Sequence, residues 1–142
     1  MRVEKRVIMT TNTDITITTI NVGLCAGRHD IPEVDEYIFP NAVDPMDFHG
    51  MKRQATRRLI DLLRDTGRRQ VYVLDEDDDG PCDRVYVPVD IRLYVTGLTP
   101  ATVAVLQAFE CLYEACWVHG LTLMHYDRES GQYREQEWKS RD

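Results

Sequence analysis

Tyr94-Val95-Thr96-Gly97-Leu98-Thr99-Pro100-Ala101 runs an apolar strand into a helix start, and the reading of this stretch decides the fold. Thr99 is a good N-cap, Pro100 fits the first helical position, where no backbone donor is needed, and Gly97 permits a tight bend with close backbone approach. The first-turn N–H groups then point outward at the positive end of the helix dipole, an arrangement suited to an anion. Pro100-Ala101-Thr102 contains no acidic side chain to compete for that position. Ligand-free strand-to-helix turns use the same residues, so the stretch sets the order strand, turn, helix and offers an anion site as one use of it.

Upstream, Val3 to Met9 and Ile15 to Val22 are rich in β-branched residues around the polar turn Thr10 to Asp14, and read as strands paired in a hairpin. Gly23 to Asp47 is a long irregular connection with Tyr37-Ile38-Phe39 as a short strand. Asp44 then caps a helix with Pro45 at its first position, Asp47 in its first turn and Gly67 at its end. Phe48, Met51, Ala55, Leu59 and Leu62 give that helix one apolar face, and Lys52, Arg53, Arg57, Arg58 and Arg64 make the rest basic. Gln70 to Leu74 and Arg84 to Val89 are strands of a hairpin excursion over residues 70–89.

Downstream of the opening stretch, the helix from Pro100 to about Val118 is apolar nearly all round, which predicts extensive burial, with Gly120 as its stop. Leu121 to Asp127 and Gln132 to Trp138 flank Arg128-Glu129-Ser130-Gly131 and form a terminal hairpin over 121–138, with Gly131 at positive φ. Strand, helix, strand, helix, strand in this order implies crossovers. The fold expected is therefore α/β: a small Rossmann-like, mostly parallel sheet flanked by helices, in a single domain spanning 1–142.

In such sheets ligands sit beyond the carboxyl ends of the strands. That rule gathers Asn21 to Asp30, Thr96 to Pro100 and His125 to Arg128 at one rim. Asn21, Arg28, Thr96, Gly97, Leu98, Thr99, Ala101 and Tyr126 are the candidate ligand-binding residues. His29, His125 and Arg128 are the candidate catalytic ones. Arg28 and Arg128 can pair with phosphate oxygens, His29 and His125 can donate hydrogen bonds or move protons near neutral pH, and Tyr126 can stack on a base. Each of these residues also suits an ordinary solvated loop.

Composition narrows the classes further. With 142 residues and 43% hydrophobic content the chain can bury one core. No apolar run is long enough to cross a bilayer and the first residues lack a signal-peptide pattern, so a cytoplasmic location without membrane association is expected. Cys25, Cys82, Cys111 and Cys116 form no C-x-x-C pair and read as free, mostly buried thiols. The net charge of −7 argues against duplex DNA as a partner. Asp75 to Gly80 opens like a calcium loop, but Tyr86 stands where a bidentate Glu is required, so the segment reads as a solvated hairpin tip. Cys111, Cys116 and His119 do not converge on a tetrahedral metal and read as a buried thiol pair beside a terminal His. No metal site, and no cofactor, is expected; the dinucleotide and Walker fingerprints are both missing from the sequence.

Gly27-Arg28-His29 after an early strand, and Thr96-Gly97-Leu98-Thr99-Pro100 before an apolar helix and a terminal strand, resemble the small CRISPR-associated Rossmann-like proteins. That group includes CARF-type sensors of cyclic oligoadenylates and compact ring nucleases. The resemblance covers about a third of the chain, and the acidic excursion Asp75 to Asp83 and the terminal hairpin depart from its pattern. It implies a homodimer whose strand-end faces form a joint groove for a cyclic or short oligonucleotide in antiviral signalling. Binding with or without slow metal-independent phosphodiester cleavage is the expectation, the ribose 2′-hydroxyl being the nucleophile. The alternative is a non-enzymatic interaction module of a phage or mobile element acting through its acidic hairpin.

Overall fold

The structure, a computed structural model, describes residues 3–9, 14–28, 30–66, 72–73, 85–86, 89–115 and 117–141. Strands β1 (Val3–Met9) and β2 (Asp14–Cys25) form the antiparallel N-terminal hairpin, in register from Val3↔Ile20 to Met9↔Asp14. The short strand β3 (Tyr37–Phe39) runs parallel to the far end of β2. After α1 (Phe48–Thr66) the excursion appears as β4 (Tyr72–Val73) paired antiparallel with β5 (Val85–Tyr86). Next come β6 (Val89–Tyr94), α2 (Thr99–Glu114), β7 (Gly120–Asp127) and β8 (Gln132–Ser140).

The main sheet has six strands in the order β1-β2-β6-β7-β8, with β3 beside β2. The β2–β6 and β6–β7 pairs are parallel, and β1 and β8 are antiparallel edges. This is the mostly parallel, small Rossmann-like α/β sheet expected from the order of elements, and the carboxyl ends of β2, β3, β6 and β7 share one rim.

Side chains alternate across the pleat, and the two faces receive different chemistry. Ile20, Val22, Leu24, Ile91, Leu93, Leu121 and Leu123 share one core with Met51, Ala55, Leu59 and Leu63 of α1 and Ala101, Ala104, Val105, Ala108 and Phe109 of α2. Both helices therefore lie on the same face. The opposite face carries Asn21, Arg92, Tyr94, Thr122, Met124 and Tyr126 in the register of the ladders. Among the described residues it is covered by no helix, only by the connection between β2 and β3, whose Ile31 and Val34 pack on Tyr94 and Met124.

Several boundaries differ from the sequence reading. Helix α1 begins three residues later than Pro45. Asp44 instead closes a separate turn, accepting from Met46 N at 2.9 Å, while the Asp47 carboxylate accepts from Gly50 N at 3.0 Å and is the cap. Phe48, as the first helical residue, consequently points away from the core and is 55% exposed. Helix α2 is capped at Leu98 in extended conformation, with no side-chain hydrogen bond, so Thr99 is its first residue rather than its cap. It ends at Glu114, with Trp117 N bonded to Leu112 O, and Gly120 opens β7 instead of stopping the helix. Only one stripe of α2 is buried: Val103 is 45% exposed, and Cys111 is an exposed free thiol, which overturns the buried thiol pair. The expected residue at Gly67, the thiols Cys82 and Cys116 and the acidic tip Asp75 to Asp83 lie outside the described residues.

Candidate functional site

At the rim, Gly97 adopts φ +81° between Thr96 and the start of α2, and a side chain built on it would meet no atom within 4 Å. The bend thus needs glycine for its backbone conformation, and its outer surface is open. The first-turn N–H groups of Thr99 and Ala101 have no intrahelical acceptor by helix geometry, Pro100 has none to offer, and no acidic side chain lies in that turn. The Ala101 side chain is fully buried, so only its backbone can serve a ligand. Leu98 packs partly against the core.

Thr96 completes this corner. It is 5% exposed, and its Oγ1 makes no well-formed hydrogen bond, only a weak interaction with the Cys25 thiol. Beside it the Cys25 thiol is pushed up by burial, with the Arg28 charge and the Thr96 hydroxyl pulling weakly the other way, so this sulfur stays protonated near neutrality. A cavity of about 280 Å³ opens here between Thr96, Gly97, His125, Tyr126 and Arg128. His125 Nε2 lies 2.7 Å from Gln136 Oε1. Arg128 stands in the β7–β8 turn, which Asp127 organises by accepting from Glu129 N and Ser130 Oγ, each at 3.0 Å, and from Arg134 Nε at 2.9 Å. Those bonds, Ser130 first, hold the Asp127 carboxyl below its usual range. Gly131 closes the turn at φ +70°, as its position in the sequence predicts.

The predicted residues are therefore only partly assembled. Thr96, Gly97, His125, Tyr126 and Arg128 share one cavity, with the α2 start beside them. Arg28 is exposed, near Cys25, and lines neither this cavity nor the larger one described next. Asn21 is not at the rim: β2 continues four residues beyond it to pair with β3, which leaves Asn21 buried in mid-strand with its Oδ1 unpartnered. His29 lies outside the described residues.

A second, larger cavity of about 720 Å³ adjoins the first on the helix-free face, sharing Tyr126, Arg128 and Tyr133 with it. Tyr94 meets Tyr133 edge-on with ring centroids 4.8 Å apart, and Tyr126 lies tilted at 5.4 Å from the same ring. This cavity was not expected from the sequence. Its signal was Asp90, Arg92 and Tyr94 alternating with Val89, Ile91 and Leu93, which marks a strand with one apolar and one polar face.

The opposite edge was missed too. His119 is 1% exposed, and its Nδ1–H donates to Asp90 Oδ1 at 2.5 Å at the amino ends of β7 and β6. Among the described residues no group of His, Cys, Asp or Glu side chains is arranged to hold a metal ion, and no helix is long and apolar enough to cross a membrane. Comparison with family models, curated proteins and solved structures finds no match for this chain.

Proposed function

We propose that this protein binds a cyclic or short oligonucleotide at the carboxyl rim of its sheet, as a cytoplasmic homodimer in prokaryotic antiviral signalling. The observation that carries the reading is the buried Thr96 hydroxyl, which makes no well-formed hydrogen bond, beside an uncapped helix start. Together they supply an O–H donor and backbone N–H donors to one phosphate, and Arg128 adds a cation from across the cavity. Tyr126, 55% exposed, offers a ring face to a base. In cleavage, Arg128 stabilises charge on the scissile phosphate and His125 assists proton transfer, with Gln136 holding its ring.

Thermal melting with inorganic phosphate, mononucleotides and cyclic oligoadenylates tests this. A ligand present at about a hundred times its Kd raises Tm by roughly 6–10 °C in a chain of this size. The Gly97→Asn variant tolerates the left-handed backbone but places a side chain across the rim, and Arg128→Ala removes the cation; both should lose the shift. A flat melting temperature across the whole panel, or a shift that survives both substitutions, sinks the reading. Product analysis with the ligand that gives the largest shift distinguishes binding alone from turnover, and His125→Gln should abolish turnover while keeping the shift.

A further inference from the structure

The 720 Å³ cavity on the helix-free face has a chemistry opposite to that of the rim. Three tyrosine rings form its walls, and the ring contacts leave Tyr126 more than half exposed. Glu33 lines it too, and its Oε2 is buried with no donor in reach. Asp30 and Glu135 add two further carboxylates, and Arg92 is tied to Glu135 by an ion pair. Arg128 stands at the junction with the smaller cavity. On the same sheet face, one strand over from Arg92, Asn21 Oδ1 is a second acceptor without a donor.

The orphan atom that lines the cavity, Glu33 Oε2, is a carboxylate acceptor, so an apolar ligand would leave it unsatisfied and an anion beside it would be disfavoured. A cation satisfies Glu33 and gains from the negative faces of the rings. We propose that this cavity binds an organic cation, an ammonium or guanidinium group, seated between the Glu33 carboxylate and the ring faces of Tyr126 and Tyr133. The Tyr133 hydroxyl is consistent with this field: burial pushes its ionisation up first, and Glu33 and the neighbouring Tyr126 and Tyr37 push it further. The site shares Tyr126, Arg128 and Tyr133 with the phosphate corner but not Glu33 or Thr96, so the cation proposal stands whether or not that corner takes an oligonucleotide.

The test is a titration of the full chain with agmatine and, in a second arm, with an otherwise uncharged peptide carrying one arginine. Ring resonances of Tyr126 and Tyr133 are followed by NMR against sodium chloride at matched ionic strength. A saturable shift with either probe supports the site, the first arm indicating a free amine and the second a protein side chain as the source. Glu33→Gln should weaken binding by about tenfold, the scale of one charge-assisted hydrogen bond, and Tyr126→Leu by about threefold, the scale of a half-exposed cation–π contact. Thr96→Val, which alters only the phosphate corner, should leave the cation affinity unchanged. Shifts no larger than those with sodium chloride, or equal affinity in Glu33→Gln and Tyr126→Leu, overturn the proposal. Tyr126 is exposed, so its variant folds and keeps the test valid if Glu33→Gln does not.

Discussion

The two edges of the parallel sheet are made from the same strands but are finished in opposite ways. At the amino edge no buried side-chain polar atom among the described residues lacks a partner. His119 N donates to Val89 O at 2.7 Å, its Nδ1 to Asp90, and its carbonyl accepts from Arg141 N at 3.1 Å. Arg141 also donates to the carbonyls of Val118 and Tyr113 and lies over the Tyr113 ring. Gly120 belongs to this arrangement, since a Cβ there would come within 3.0 Å of Asp90 Oδ1 and 2.8 Å of Lys139 O. At the carboxyl edge Thr96 Oγ1 is buried without a well-formed hydrogen bond, the helix start is uncapped and two cavities open. A buried polar group with its partner stabilises the native state, whereas one without is tolerated where something else binds. The difference assigns the amino edge a structural role and is what supports the proposal that the carboxyl edge takes a ligand.

The largest effect that would break this division is at His119. Removing it in His119→Ala takes a partner at 2.5 Å from the Asp90 carboxylate and leaves a hole at the strand ends, a loss of about 3 kcal/mol. Urea denaturation should show it as a lower midpoint at unchanged slope. Phosphate or nucleotide affinity, measured well below the transition, should stay as in the parent. A variant that keeps its stability, or that loses ligand affinity while still folded, would remove the contrast between the edges.

The amino edge was invisible from the sequence for a plain reason. Asp90 and His119 are 29 residues apart, and only the β6–β7 register, in which Asp90 stands opposite Gly120, brings them together. Local patterns were legible: the spacing of Met51, Ala55, Leu59 and Leu62 gave the buried face of α1, and the order of strands and helices gave the parallel ladder and its rim. What pairing decides was not. The end of β2 depends on Gly23↔Tyr37 and Cys25↔Phe39, a contact with a strand past an irregular connection, so Asn21 was placed at the rim when it lies inside the sheet. The start of α2 was misjudged by one residue because Thr99 and Leu98 compete for the cap, and the bend at Gly97 leaves Leu98 in the extended conformation. Of the candidate site, the residues adjacent in sequence to the rim were found, and Tyr94, Glu33 and Tyr133, which reach the cavity by alternation and by a folded-back connection, were not.

Thr96 sharpens the comparison with a smaller effect of opposite sign. Thr96→Val keeps the shape and replaces by a methyl group a buried hydroxyl whose interaction with the Cys25 thiol is weak. The desolvation penalty of that hydroxyl is relieved, and the unliganded protein should gain about 1 kcal/mol. The same change should weaken phosphate binding at the rim. A purely structural Thr96, bonded in solution to a neighbour, would instead destabilise on substitution, so the sign of the change in denaturation midpoint decides between the two.

The smallest effect concerns β8, which is strapped to α2 and reaches both edges. Glu110 accepts from Trp138 Nε1 at 3.0 Å and from Lys139 Nζ at 2.9 Å. The Lys139 hydrogen bond, opposed by burial and helped by the Trp138 bond and the Lys139 charge, holds the Glu110 carboxyl below its ordinary value of 4.5. A carboxylate depressed by folding contributes stability that is fully present above its unfolded value and is lost as the pH falls through the folded one. The strap should therefore be intact at neutral pH and weaken only in acid, below about pH 4.5. It is a partly exposed ion pair, so the contribution is modest and screened by salt. Stability followed from neutral pH into acid should fall less steeply in Glu110→Gln than in the parent, and the slope difference should shrink in high salt. Identical acid limbs would mean that the pair holds β8 no better than water does, which would leave the β7–β8 ladder alone responsible for placing Arg128 at the rim.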